Sequence, residues 1–386
     1  MSLKKSFLIL ISDCGYGHRS AANAIARAMQ LRHPQESNTV IINPILEQTS
    51  PQPLKISEKN YDHLVTTNPK FYRFTYEISD SRQASGLVEN VLTVALYGEM
   101  KQLIQELHPN AILSTNPMFS SPTGAVLDFM KERPPFYATV MDFTDVHAMW
   151  FNDHPDRFFV ASEAVCSKAV ECGIDPQKIT TSGIPVNPDF AINQTPKPAL
   201  REKLGLDPYL TTLLFVGSPR VSGIYEHLQA LETVSLPLQV ALIAGGDSEL
   251  YGQVQERAWG VPIQVRNRVT NMPDWMLAAD ILVTKAGGLV LSEGLAAGLP
   301  ILLIDYLPGQ EEGNVQFILD HQAGKVMINP EDFSRQVVEW LEDDQRLLKE
   351  ISSNARRCGH PDAALVIADA LWQADEIQPQ PTAYRD

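Results

Sequence analysis

Phe7-Leu8-Ile9-Leu10-Ile11-Ser12-Asp13-Cys14-Gly15-Tyr16-Gly17-His18-Arg19 reads as a buried strand breaking into a glycine turn. An alanine-rich stretch (Ala21, Ala22, Ala24, Ala26, Ala28) continues it as a helix. A run apolar at every position suits a strand covered on both faces of a parallel sheet. Lys4 and Lys5 before the run, and Cys14 after it, loosely imitate a secretory signal. The run is too short for one, Asp13 spoils the small-residue cleavage position, and glycines follow at once. The strand reading stands.

Outward from this stretch, short apolar runs alternate with amphipathic ones along the whole chain. Strands are expected at Phe7–Ser12, Thr39–Ile42, Ala111–Ser114, Phe136–Met141 and Arg157–Ala161, then at Thr212–Val216, Gln239–Ala244, Ile263–Val265, Ile281–Thr284 and Ile301–Ile304. Helical patterns between them predict an α/β protein with parallel sheets and crossover helices. Pro188, Pro196 and Pro198 interrupt a polar stretch at Asn187–Ala199, where a linker is expected. Two Rossmann-like domains, residues 1–190 and 191–386, would then face each other across a cleft.

Composition bounds the function. The 386 residues are 44% hydrophobic and 20% charged, enough for real cores and unlike a disordered chain. A net charge of −15 argues against nucleic acid as a partner. No apolar run nears the ~18 residues of a membrane span. Cys14, Cys166, Cys172 and Cys358 form neither a disulfide framework nor a CxxC zinc pair, so a reduced, cytoplasmic setting is expected.

Three polar segments at strand ends carry chemistry. In the first, Gly17 and its neighbours let backbone N–H groups approach an anion at a helix start. Asn43-Pro44 ends the second strand, where a nicotinamide nucleotide would need an acidic residue. His18 at the helix mouth is either a general base or a histidine that caps the turn. The second segment is Thr284-Lys285-Ala286-Gly287-Gly288-Leu289-Val290-Leu291-Ser292-Glu293, again strand, glycine turn and helix, ending at Gly298 and Pro300. It suits a diphosphate, with Glu293 placed to take ribose hydroxyls, or else it is an ordinary βα turn with a solvated glutamate. The third, Asp305-Tyr306-Leu307-Pro308-Gly309-Gln310-Glu311-Glu312-Gly313-Asn314, offers amides and carboxylates to sugar hydroxyls at a strand's carboxyl end.

Gly15–Ile25 (GYGHRSAANAI), Val140–Ser162, Val269–Met276 (VTNMPDWM) and Thr284–Asn314 (TKAGG…E, PGQEEGN) together resemble the monogalactosyldiacylglycerol synthase family, which includes bacterial processive diacylglycerol glucosyltransferases. The similarity spans roughly residues 7–370, and the peptidoglycan N-acetylglucosaminyltransferase is more distantly similar. The resemblance implies a GT-B fold and transfer of galactose or glucose from UDP-galactose or UDP-glucose to a lipid hydroxyl such as diacylglycerol, with inversion. It puts His18 and Asp142 at the reaction centre. It gives the donor Gly17, Gly217, Ser218, Arg220, Gly246, Met272, Lys285, Gly287, Gly288, Glu293, Gln310, Glu311 and Asn314.

No metal or other cofactor is implied, and the chain has no Asp-x-Asp. The acceptor and a weakly, peripherally bound inner membrane face fall to Phe71, Tyr72, Phe74, His147 and Trp150. An apolar stripe follows at Leu87, Val88, Val91, Leu92, Ala95, Leu96, Met100, Leu103, Ile104 and Leu107, whose later part reads as core.

The chain departs from its relatives at Gly217-Ser218-Pro219-Arg220-Val221-Ser222-Gly223, where they carry a glycine-rich loop. It departs again at Asn116-Pro117, often His-Pro in relatives, and at Asn43, which replaces an acidic residue. A UDP-sugar epimerase of the same fold and a catalytically silent glycan-binding relative are the alternatives.

Overall fold

The structure is a computed structural model and describes residues 4–13, 17–47, 50, 52, 55, 80 and 82–374. Contacts divide the chain into two units: Met1–Met141 with Val146–Pro185 and Ala363–Asp386, and Asp142–Asp145 with Val186–Asp362. Both are α/β, each built on a six-stranded, all-parallel sheet.

In the first unit the strands are β1 (Lys5–Leu10), β2 (Ser37–Ile42), β3 (Ala111–Ser114), β4 (Phe136–Thr139), β5 (Arg157–Val160) and β6 (Ile179–Thr181), in the order β2-β1-β3-β4-β5-β6. Helices α1 (Gly17–Arg32), α2 (Arg82–Leu107), α3 (Ser120–Leu127) and α4 (Glu163–Glu171) connect them. The order turns back at β1 and β3, so their carboxyl ends open a crevice where such sheets take ligands. One face of the sheet packs Phe7, Ile9 and Leu113 against Ile25 and Met29 of α1. The chain's last described helix lies there too, adding Ile367 and Leu371, and Lys5 Nζ donates to the Trp372 carbonyl at 3.0 Å. On the other face Leu8, Leu10 and Ile112 meet Leu96, Met100 and Ile104 of α2.

The apolar stripe on α2 therefore splits. Leu92, Leu96, Met100, Leu103 and Ile104 are core, whereas Leu87, Val91 and Val94 are 69%, 67% and 84% exposed. Among the described residues no helix is long and apolar enough to cross a membrane.

The second unit holds α5 (Asp189–Ile192), α6 (Lys197–Leu204), β7 (Thr211–Val216), α7 (Ile224–Leu231), β8 (Leu238–Ile243), α8 (Ser248–Glu256), β9 (Ile263–Arg266), α9 (Met272–Ala278), β10 (Ile281–Lys285), α10 (Gly288–Ala296), β11 (Ile301–Asp305), α11 (Glu312–Asp320), β12 (Gly324–Val326), α12 (Pro330–Leu341) and α13 (Arg346–Cys358). The sheet order β12-β11-β10-β7-β8-β9 places the reversal between β7 and β10. Helix α14 (Ala363–Trp372) closes the element list and belongs to the first unit.

All ten expected strands form, with no end moved by more than two residues. β6 and β12 were not expected, being three-residue edge strands too short to show a pattern. The proline-rich stretch is also more structured than a linker. Pro188 caps α5, and Pro196 precedes α6 with a second proline in its first turn. Proline's missing N–H costs nothing there, because the first helical N–H groups have no intrahelical acceptor.

Candidate active site

In the first unit the crevice between β1 and β3 is flanked by the residues from Ile11 to Asp13, the first turn of α1 and the residues after Ser114. Asp13 braces the turn: Arg19 donates to both its oxygens at 2.7 and 2.8 Å, and Asn43 Nδ2 donates at 3.0 Å. The Arg19 guanidinium holds the Asp13 carboxyl below its ordinary pKa. Asn43 thus anchors the aspartate. Cys14, Gly15 and Tyr16 lie outside the described residues.

His18 follows Gly17 in the first turn of α1. Asn116 Nδ2 lies 3.3 Å from His18 Nε2, while among the described residues nothing bonds the enclosed Nδ1. Burial pushes the imidazole down to about 4, against the pull of the Thr115 carbonyl, so the ring is neutral at physiological pH. Asn116 is 7% exposed, and its Oδ1 accepts the Met118 N–H at 3.0 Å, capping a single 3-10 turn. Sequence reading noticed Asn116 only as a departure from relatives. An asparagine directly before proline was the available signal for a cap.

Of the acceptor-side residues the structure describes Trp150 and His147. Trp150, expected on the acceptor and membrane side, is 4% exposed and packs inside the unit. His147 Nδ1 accepts the Met149 N–H at 3.1 Å and is 3.9 Å from Asp80, and burial lowers its pKa. Phe71, Tyr72 and Phe74 lie outside the described residues.

In the second unit the two turns at the sheet reversal are tied together through Asp305. Its Oδ2 accepts the Ser222 N–H at 2.9 Å and the Ser222 hydroxyl at 3.0 Å. This holds the Gly217–Gly223 loop, in which Ser218 Oγ accepts the Arg220 N–H. Gly245 and Gly246 both take positive φ; a Cβ on Gly245 would strike the Gly217 backbone of this loop, and one on Gly246 the Arg268 guanidinium.

After β10, the N–H groups of Gly288, Leu289 and Val290 begin α10, where helix geometry leaves them no internal acceptor. Gly287 caps this helix beside the Glu311 carboxylate. Glu311 is buried, pairs with Lys285 and accepts the Leu307 N–H at 2.8 Å. Gln310 follows Gly309, which takes a φ of 88°. Glu293, half-buried in the second turn of α10, has its carboxyl pushed up to about 8 by burial, so it holds a proton at pH 7. Met272 opens α9, apart from this polar network.

Asp142–Asp145 belongs to this unit by its contacts. Asn314, 1% exposed, receives the Phe143 N–H on Oδ1 at 2.9 Å and donates from Nδ2 to Asp142 Oδ1 and the Ala286 carbonyl, both at 3.0 Å. Both amide hydrogens are therefore engaged inside the protein. Phe143 stacks on Phe317 at 4.5 Å, and Gly313 makes room for Asp145, whose backbone N would lie 2.8 Å from an added Cβ. Burial raises the Asp142 carboxyl to about 6, although the Asn314 hydrogen bond lowers it. Lys285, Gly287, Glu311, Asn314 and Asp142 thus form one cluster. Sequence reading named its members, quoted Asp305 and Gly313 only as part of the polar loop, and gave Phe143 no role.

Residues 18–186 match the family model for monogalactosyldiacylglycerol (MGDG) synthase, and residues 196–358 that for glycosyl transferases group 1. A probable chloroplastic monogalactosyldiacylglycerol synthase of Nicotiana tabacum is 30% identical over 379 residues, covering 96% of this chain and 70% of that one. A probable chloroplastic monogalactosyldiacylglycerol synthase 2 of Oryza sativa subsp. indica is 29% identical, covering 98% and 81%. Among solved structures, MurG of Acinetobacter baumannii superposes with a TM-score of 0.59 at 14% identity, over 96% of this chain and 99% of that one. A UDP-GlcNAc 2-epimerase of Neisseria meningitidis superposes at 0.60 with 9% identity, over 95% and 100%. Fold alone therefore does not separate transfer from epimerisation.

Proposed function

The chain belongs to the monogalactosyldiacylglycerol synthase family of GT-B glycosyltransferases, and we propose that it moves galactose or glucose from a UDP-sugar to a lipid hydroxyl such as that of diacylglycerol. The likeness along 96% of the chain to a relative of that name carries the reading. The first N–H groups of α10 suit the diphosphate, and Glu293 suits the ribose. The carboxyl gives up its proton as it accepts the ribose hydroxyls. Gln310 and Glu311 serve the hexose. Asn314 serves it indirectly, because its amide hydrogens hold Asp142 and Ala286.

Transfer is a single displacement. The acceptor oxygen attacks the anomeric carbon as its O–H bond breaks and the proton passes to a protein base. The bond from that carbon to the diphosphate breaks with its electron pair leaving on UDP, which inverts the centre. Backbone N–H groups stabilise the departing charge, so no metal is required. The protein would work in the cytoplasm at the inner membrane face, held weakly and peripherally, with the exposed side chains of α2 among the contacts.

The test is the purified chain with UDP-galactose and UDP-glucose separately, in mixed lipid containing diacylglycerol. A glycosylated diacylglycerol is expected. Interconverted nucleotide sugar would make it an epimerase, and no turnover a silent relative.

A further inference from the structure

Two turns flank the sheet reversal of the second unit, the Gly217–Gly223 loop after β7 and the turn at Ala286 and Gly287 before α10, and Asp305 bonds to both. Its backbone carbonyl accepts the Ala286 N–H at 3.1 Å. Its carboxylate is divided: Oδ1 accepts the Tyr306 N–H at 2.8 Å, and Oδ2 accepts the Ser222 N–H at 2.9 Å and the Ser222 hydroxyl at 3.0 Å. Both oxygens face donors, so a carboxylate suits the position, whereas an amide would turn its NH2 group on one of them. Gly223, the last residue of the loop, is held separately. It takes a φ of 77°, and its carbonyl lies 2.6 Å from Nδ1 of His227, whose Nε2 lies 2.8 Å from the Met327 carbonyl. His227 is 1% exposed, so it acts on the loop and not on a ligand. At the loop's start the Gly217 N–H donates to the Ile243 carbonyl at 2.8 Å, and the Val221 N–H closes a turn on the Ser218 carbonyl at 3.0 Å.

We propose that Asp305, together with His227, is a positioning residue that pre-forms the Gly217–Gly223 loop at a set spacing from the start of α10, so that a nucleoside diphosphate meets both turns already ordered. This rests on the reading of the second unit as the donor site for its consequence but not for its geometry. One phosphate takes the first N–H groups of α10, and the other takes Ser218 and Arg220. A brace formed in the empty protein strengthens binding by keeping more molecules competent. Once the donor is bound the loop is ordered either way, so the gain falls on KM and not on kcat.

The brace and its consequence are tested separately. In full-length protein labelled with 15N-serine, the Ser222 amide is assigned by its loss in Ser222→Ala. Without ligand, that amide should exchange with solvent faster in Asp305→Asn than in the parent, and UDP should bring the two rates together. In Asp305→Asn the Kd for UDP and the KM for the UDP-sugar should rise about 10–150-fold, the scale of lost charge-assisted hydrogen bonds, with kcat kept within about threefold. Ser222→Ala keeps the backbone bond and loses the hydroxyl, so its cost should be about 2–10-fold, and Ser222→Thr should restore the affinity. If Asp305→Asn does not fold, these two serine variants carry the affinity test. Equal exchange in the parent and Asp305→Asn overturns the brace. Faster exchange with unchanged UDP affinity overturns its service to the diphosphate, and a fall in kcat at constant KM overturns the positioning role. If the parent binds no UDP, the donor reading falls, while the difference in exchange still supports the brace.

Discussion

The two glycine turns, before α1 and before α10, look alike as sequence but are held in different ways. The first is braced by Asp13 and Arg19, whose side chains are 31% and 46% exposed. The second is braced by Lys285 and Glu311, 16% and 9% exposed. Burial also acts in opposite directions on the ionisable groups they serve. It lowers the base His18 and raises the acids Glu293 and Asp142, because in each case it disfavours the charged form. The difference teaches that one motif can present a neutral ring to chemistry in one place and stored protons to a ligand in another.

The largest effect should fall on Asp142. Asp142→Asn is expected to lower kcat about 10²–10⁴-fold, the usual worth of a general base, and to leave UDP binding unchanged by calorimetry. The base works ionised, so parent activity should rise as pH increases through about 6. Stability runs the other way. The folded carboxyl titrates above its ordinary 3.8, so the empty protein should lose stability between about 4 and 6 as ionisation is forced on a buried group. A pH profile without a limb near 6, or near-normal turnover in the variant, would return the base to His18.

The turns themselves were legible, and their bracing was not. Continuous apolar runs such as Ala111–Ser114 announce buried parallel strands, and glycines after them announce the turns. β6 and β12 pair along one edge only and carry no such pattern. Glu293 and Asn314 were read as ligands because both types bind sugars. Which of them spends its hydrogen bonds inside the protein depends on Phe143 and Ala286, distant in sequence from Asn314 or separated from it by a strand. The family resemblance supplied His18 and Asp142 together, but only the cap on Met118 says which way the Asn116 amide faces.

The next effect tests the bracing. Lys285→Met strands the Glu311 carboxylate in a buried site, and such losses cost about 3–5 kcal/mol. Arg19→Ala breaks an exposed pair, worth about 0–1 kcal/mol. Urea unfolding of the two variants should show that order. Equal losses would mean that the two turns are held alike after all.

Glu293 gives a smaller and pH-dependent effect. The empty protein holds a proton there up to about 8, whereas ribose binding as read above needs the carboxylate. UDP affinity should therefore strengthen as pH rises toward 8, with a proton released on binding. The stability of the empty protein should fall over the same rise, from the ordinary 4.5 to about 8. Glu293→Gln should remove both trends and weaken UDP about 10–150-fold, equivalent to the ~1.5–3 kcal/mol of charge-assisted hydrogen bonds. Calorimetry in buffers of different ionisation enthalpy reads the proton directly. A parent that binds UDP equally at pH 6 and 8 would place the ribose elsewhere.

The smallest effect concerns α2, where the contrast lies within a single helix. Its later turns bury Leu96, Met100 and Ile104, while Leu87, Val91 and Val94 stand out on its first turns at the spacing of one face. Three exposed side chains add little to folding. At a headgroup boundary each would lose apolar surface to lipid at about 25 cal/mol per Å², enough together for weak, reversible adsorption. Replacing all three with serine should leave the melting temperature and UDP binding unchanged, and should reduce sedimentation with vesicles containing anionic lipid and diacylglycerol. Salt should weaken what remains, if cations nearby add attraction to a chain whose net charge is −15. Unchanged sedimentation would move the lipid contact off this face of α2. A parent that never sediments would make a soluble acceptor the better substrate, and the exposed stripe would then be ordinary surface.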